Sequence, residues 1–180
     1  MADRDLAGEI ASPKYAYIER ERRWLVPGVG HPSLHCCRSI RIEDLYIAGT
    51  LMRLRLMASD GGWTSRKLTK KYAAGTPDAR PIVTTYLDEH EFSLLVGLSG
   101  HTITKRRYTV TEKQAEFSLD VFEGNLAGLK ILEIEGEDAK TLASVVPPCW
   151  AGSEITHQPD WQGGALSRLD HLPEKPWPAS

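Results

Sequence analysis

The stretch YIERERRWLV at residues 17–26 puts Glu19, Glu21 and Arg23 at alternate positions. Successive side chains on a β-strand point to opposite faces, so these three charges share one side. A face of that kind does not pack against an apolar core; it lines a wet space that holds ions. The pattern returns along the chain. MRLRLM sets Arg53 and Arg55 against Met52, Leu54 and Leu56, and RKLTKKY puts Lys67, Thr69 and Lys71 in one phase. Lys105 and Arg107 alternate in ITKRRYTV. Glu116, Ser118 and Asp120 oppose Phe117, Leu119 and Val121, while Glu133 and Glu135 oppose Leu132 and Ile134. One such strand is what any half-exposed antiparallel sheet shows. Six, sorted into cation-rich and carboxylate-rich strands, ask for more. Like charges on one strand face repel unless something bridges them: arginine and lysine pairs suit a polyanion, glutamate pairs a divalent cation.

Turn signals cut the chain into short strands at 16–26, 38–48, 50–58, 64–73, 80–87, 102–111, 115–123 and 129–137. Asp60-Gly61-Gly62 reads as a hairpin turn. Two helices are expected. One covers 88–98, with Asp88 as N-cap and Phe92, Leu95 and Leu98 on its apolar face; the other covers 137–145, ahead of Pro147-Pro148. Many antiparallel strands with few helices make an α+β, mainly antiparallel β protein: a barrel or sandwich with helices outside. Residues 1–14 read as a flexible leader, 15–171 as one domain and 172–180 as a proline-rich tail.

A net charge of −2 argues against a nucleic-acid binder, yet the charges segregate, basic in 53–71 and 105–107 and acidic in 112–138. No apolar run approaches the roughly 20 residues of a membrane span, so no membrane partner is expected. The polar, acidic N-terminus lacks the order of a signal peptide, which makes the cytoplasm the expected location. Three cysteines, Cys36, Cys37 and Cys149, form neither a disulfide framework nor a zinc spacing.

Carboxylate oxygens are the ligands Mg²⁺ prefers. Guanidinium forks and ammonium groups suit phosphate oxygens. Together they describe phosphoryl or nucleotidyl transfer. No glycine-rich phosphate loop is present, so side chains must hold the phosphates. Arg20, Arg22, Lys70 and Arg106 fall in the opposite phase and are expected in solvent. His31 and His35 are expected to be structural, since Pro32 disfavours a helix there.

Glu19-x-Glu21-x-Arg23, followed in order by IEDLYI, RLRL, KLTKKY, KRRY, LDVFEG, GLKILEIE, PPCWAGSEIT and WQGGAL, resembles the CYTH superfamily, the triphosphate tunnel metalloenzymes. The family's signature lysine is Arg23 here, which keeps the charge in a form that does not lose its proton. The resemblance implies a closed eight-stranded antiparallel barrel, its tunnel binding a triphosphate. It implies phosphate contacts from Arg23, Arg53, Arg55, Lys67, Lys71, Lys105 and Arg107. It also implies one or two Mg²⁺ or Mn²⁺ ions on Glu19, Glu21, Asp120, Glu133 and Glu135, with the catalytic role on Glu19, Glu21 and Arg23. The implied activity is hydrolysis of small-molecule triphosphates: inorganic tripolyphosphate first, ATP and thiamine triphosphate as other members of the class. A class IV-type adenylyl cyclase and a non-enzymatic polyphosphate- or nucleotide-binding module stay open as alternatives. So does the choice between monomer and homodimer.

Overall fold

The computed structural model describes residues 13–28, 31–35, 37–73 and 75–172. Most of the expected leader and tail, with Cys36, lies outside the described residues. Eight strands run β1 (Tyr17–Leu25), β2 (Ser39–Ile47), β3 (Met52–Ser59), β4 (Thr64–Lys71), β5 (Ala79–Tyr86), β6 (Gly100–Glu112), β7 (Ala115–Phe122) and β8 (Lys130–Glu135). All eight expected strands are present, with ends displaced by at most two residues. They close into an antiparallel barrel in the order β1-β5-β4-β3-β2-β6-β7-β8, with β8 pairing back onto β1.

The barrel is inside out. A small barrel ordinarily fills its interior with aliphatic side chains. Here the inward phase is charged and the outward phase apolar, so the hydrophobic core lies in separate clusters around the wall. Trp24, Phe117, Leu119, Leu132 and Ile134 face outward on β1, β7 and β8, and helix α2 (Ala139–Ser144) covers them through Leu142. Leu45, Ile47 and Leu54 are covered by helix α1 (Glu89–Leu95) through Phe92 and Leu95. Asp88 caps α1 in a reciprocal capping box with Glu91, which satisfies two otherwise free backbone donors. Leu98, expected on that apolar face, lies beyond the helix and is 43% exposed.

A third cluster plugs one end of the barrel. Leu25, Ile103, Phe122 and Ile131 lie two residues from Arg23, Lys105, Asp120 and Glu133 in the same strand phase, and they meet Leu126, Leu129, Ile155 and Leu166. The last two belong to residues 151–169, which fold across this end and include a short helix α3 (Gly163–Leu166). β5 stops beside Arg20, leaving the far end of β1 without a strand on that side. Residues 152–155 take its place through Ile155 N–H to Arg23 O (2.8 Å), Leu25 N–H to Ser153 O (3.0 Å) and Gly152 N–H to Leu25 O (2.7 Å). Among the described residues no helix is long and apolar enough to cross a membrane.

Candidate active site in the barrel tunnel

The inward charges enclose a cavity of about 440 Å³. Its wall takes Glu19, Glu21 and Arg23 from β1, Arg53 and Arg55 from β3, Lys71 from β4, Lys105 and Arg107 from β6, and Glu133 and Glu135 from β8. Register explains the convergence. Arg23 stands opposite Glu133 and Glu21 opposite Glu135 across β1 and β8. Arg107 stands opposite Asp120 across β6 and β7.

The deep cations are paired. Arg23, 4% exposed, donates from Nε to Glu133 Oε1 at 3.0 Å and from Nη1 to the carbonyl of Trp161 at 2.9 Å. Arg107 grips Asp120 with both arms of its fork, at 2.6 and 2.7 Å, and also reaches Glu133. Lys105 bonds to Asp120 and rests 5.3 Å from the Phe122 ring centroid. Lys71 bonds to Glu19 and lies 3.9 Å from Glu21.

These pairings set the charge states. Burial opposes ionisation of Glu133, but Arg107, Lys105 and Arg23 outweigh it and hold its carboxyl well below the ordinary range. Burial likewise works against the Arg107 and Arg23 charges, and nearby carboxylates, Asp120 and Glu133 for Arg107 and Glu133 and Glu21 for Arg23, keep both firmly protonated. Lys105 moves the other way: loss of water lowers it, and Asp120 only partly compensates.

The glutamates divide into two sets. Oxygens of Glu19, Glu21 and Glu135 lie within 4.8 Å of one another. Loss of water, then the neighbouring Glu19 carboxylate, pushes Glu135 up. Three hard carboxylate oxygens repelling one another fit a divalent cation, which would relieve that repulsion. Asp120 and Glu133 stand apart from this group, embedded among cations. Lys67 shares the inward phase of Arg55 but does not line the cavity; its ammonium lies 5.0 Å from the Tyr86 ring centroid.

Several wall residues had escaped the sequence reading. Asp44 and Tyr46 of β2 line the cavity, as do Arg80 of β5 and Gln162, Gly163, Gly164 and Arg168 of the C-terminal segment. Asp44, 2% exposed, accepts both arms of Arg55 at 2.6 and 2.7 Å and lies 3.6 Å from Arg53 Nε. Burial would raise its carboxyl, yet Arg55 and Arg53 drive it far below the ordinary aspartate value. Among the described residues Arg53 Nε is a buried donor with no hydrogen-bond partner. An unfilled donor in an arginine-lined cavity fits an anionic oxygen.

The outward phase held a correction. Arg22, expected in solvent, is only 19% exposed at its side chain and donates to Glu154 and to the carbonyls of Leu142, Ala143 and Val145. The other three outward cations also find neighbours: Arg20 reaches Glu137 O at 3.3 Å, Arg106 reaches Ser39 and Asp60, and Lys70 sits 5.0 Å from the Tyr72 ring centroid. His31 bonds to Lys130 at 2.6 Å.

No protein-family model matches the chain. It is 26% identical over 151 residues to the inorganic triphosphatase of Nitrosomonas europaea, spanning 83% of this chain and 96% of that relative. A crystal structure of an inorganic triphosphatase aligns with a TM-score of 0.54 at 26% identity, over 83% of this chain and 93% of that one. A second crystal structure of that same protein aligns with the same TM-score at 27% identity, over 83% and 97%. The closed barrel and these relatives bear out the resemblance read from the sequence.

Proposed function

We propose that this chain hydrolyses triphosphates inside the barrel, inorganic tripolyphosphate foremost. One observation carries the reading: cations from β1, β3, β4 and β6 converge on a single cavity beside three mutually repelling glutamates. The similarity to inorganic triphosphatases supports it.

On this reading Arg53, Arg55, Arg107 and Lys71 contact the phosphate oxygens, with Arg23 and Lys105 behind them. The paired aspartates and Glu133 keep these cations in place before the ligand arrives, so little reorganisation is needed when charge develops on the transferring phosphoryl group. Glu19, Glu21 and Glu135 would hold Mg²⁺ or Mn²⁺, which supplies Lewis-acid charge stabilisation when bound. Water is the acceptor, and a glutamate of this set takes its proton. The P–O–P bond breaks as the new P–O bond forms, releasing orthophosphate and pyrophosphate from tripolyphosphate.

The test is product release from tripolyphosphate, thiamine triphosphate and ATP with Mg²⁺ or Mn²⁺, with ATP reactions checked for cyclic AMP. Orthophosphate from tripolyphosphate is the expected result. Silence across the panel with ligand binding intact overturns hydrolysis in favour of a binding module, and cyclic AMP overturns it in favour of a cyclase.

A further inference from the structure

Arg22 and Glu154 sit outside the tunnel, on the far side of β1 from the cavity. Arg22 donates to Glu154 Oε1 and Oε2 at 3.0 and 2.8 Å, to Val145 O at 2.9 Å and to Leu142 O at 3.2 Å. Its guanidinium lies 4.7 Å from the Trp24 ring centroid. Glu154 also accepts from Thr156 Oγ1 at 2.8 Å, and Thr156 Oγ1 accepts the backbone N–H of Arg23 at 3.0 Å. A continuous polar chain therefore runs from Arg22 through Glu154 and Thr156 to the backbone of Arg23. A bidentate, stacked guanidinium of this kind is far better fixed than an ordinary surface ion pair.

What this chain holds down is a wall of the cavity. Residues 152–155 occupy the edge that β5 vacates, and the next turn brings Trp161 O onto Arg23 Nη1 and places Gln162, Gly163 and Arg168 against the tunnel. We propose that Arg22 and Glu154 are positioning residues for substrate binding: an external latch that seats the C-terminal segment and thereby orients Arg23. The inference rests on the triphosphatase reading for its substrate, but the latch itself can be read without turnover.

The experiment compares Arg22→Ala, Glu154→Gln and the swapped pair Arg22→Glu/Glu154→Arg with the unaltered protein and with Arg106→Ala, another outward arginine remote from the latch. Amide hydrogen exchange over 152–169 reports latch closure; tripolyphosphate affinity by calorimetry and KM and kcat report its consequence. Either single variant is expected to speed exchange in this segment and to raise KM about tenfold, equivalent to about 1.4 kcal/mol of binding, with kcat within about twofold. The swapped pair is expected to stay as impaired as the single variants, because a carboxylate at 22 cannot donate to the carbonyls of Leu142 and Val145, and Arg106→Ala to match the unaltered protein. Faster unfolding with KM and affinity unchanged at a temperature where the variants are folded would make the pair merely structural and overturn the proposal. Unchanged exchange in 152–169 overturns it as well. If the unaltered protein neither binds nor hydrolyses tripolyphosphate, the triphosphatase reading fails, and the exchange data alone then decide whether the latch exists.

Discussion

Replacing Asp44 by asparagine removes a carboxylate that both Arg53 and Arg55 face. Removing one partner of a buried ion pair while the other stays costs about 3–5 kcal/mol, because the remaining charge is left without compensation. The cavity lets some water reach the two arginines, whose side chains keep 17% and 11% exposure. That places the expected loss at the low end, about 3 kcal/mol. In a protein of this size each kcal/mol moves the melting temperature by about 2–4 °C, so thermal denaturation followed by circular dichroism should show a drop of about 6–12 °C at neutral pH. The freed guanidiniums should gain more than usual from an anion, so tripolyphosphate should raise the melting temperature of Asp44→Asn more than that of the unaltered protein. The pH dependence has a definite sign. The carboxyl of Asp44 lies below its ordinary value of 3.8 in the folded state, so its stabilisation is complete above that value and is lost only as pH falls further. The gap between the two proteins should hold constant from neutral pH down to about pH 5 and narrow below about pH 4. A melting shift under 2 °C, or a gap that closes already at pH 6, would refute the pairing.

Glu21→Gln and Glu135→Gln should each weaken Mn²⁺ binding, measured by calorimetry on the otherwise unliganded protein, by about tenfold or more through loss of a charged oxygen ligand, with melting little changed; unaltered binding in both would remove the glutamate trio as the cation site. A Cβ at Gly163 would lie 1.9 Å from Tyr46 Oη and 2.8 Å from its Cζ. Gly163→Ala should therefore force the segment or the ring aside at a cost of about 1–3 kcal/mol and lower tripolyphosphate affinity, and intact stability and affinity would mean that this contact is loose. Trp24, 2% exposed and edge-on to Phe117 at 6.3 Å, belongs to the outer core. Trp24→Ala should cost about 3–5 kcal/mol in chemical denaturation, and a loss below about 1 kcal/mol would contradict a core built outside the wall.

Strand phase was legible because alternation is local: MRLRLM and LEIE declare two faces within a few residues, whatever the tertiary context. The charged face turned inward because the opposite face finds apolar cover in α1, α2 and the chain around Trp150. Asp44 and Tyr46 were harder to see. Their strand phase also contains Ile42, so the face of β2 reads as mixed, although Asp44 and Tyr46 against Leu45 and Ile47 was a usable signal. Arg80 is the lone charge in a phase continued by Ile82 and Thr84, which gives no repeat to notice. Arg22 misled for a different reason. Its phase faces away from the tunnel, but what stands outside depends on a segment more than 120 residues later, and no local pattern reports that. The division of the carboxylates was also invisible. Asp120 and Glu133 look like Glu135 in sequence, and only cross-strand register shows which of them already have guanidinium partners.

The position of β1 between β5 and β8 bears on how the chain comes off a ribosome. The first strand made pairs on one side with residues about 60 positions later and on the other with Glu133, 110 positions after Arg23. During synthesis it stays unpaired until β5 has emerged, and its other edge stays open until β8 follows, and barrels with such distant pairings close slowly. An unpaired strand with an apolar sequence is an invitation to aggregate, while clustered charges keep an open edge from adding strangers. The run Glu19-Arg20-Glu21-Arg22-Arg23 puts five consecutive charges on the strand whose edges wait longest for partners, a sequence that resists pairing with another chain in the meantime.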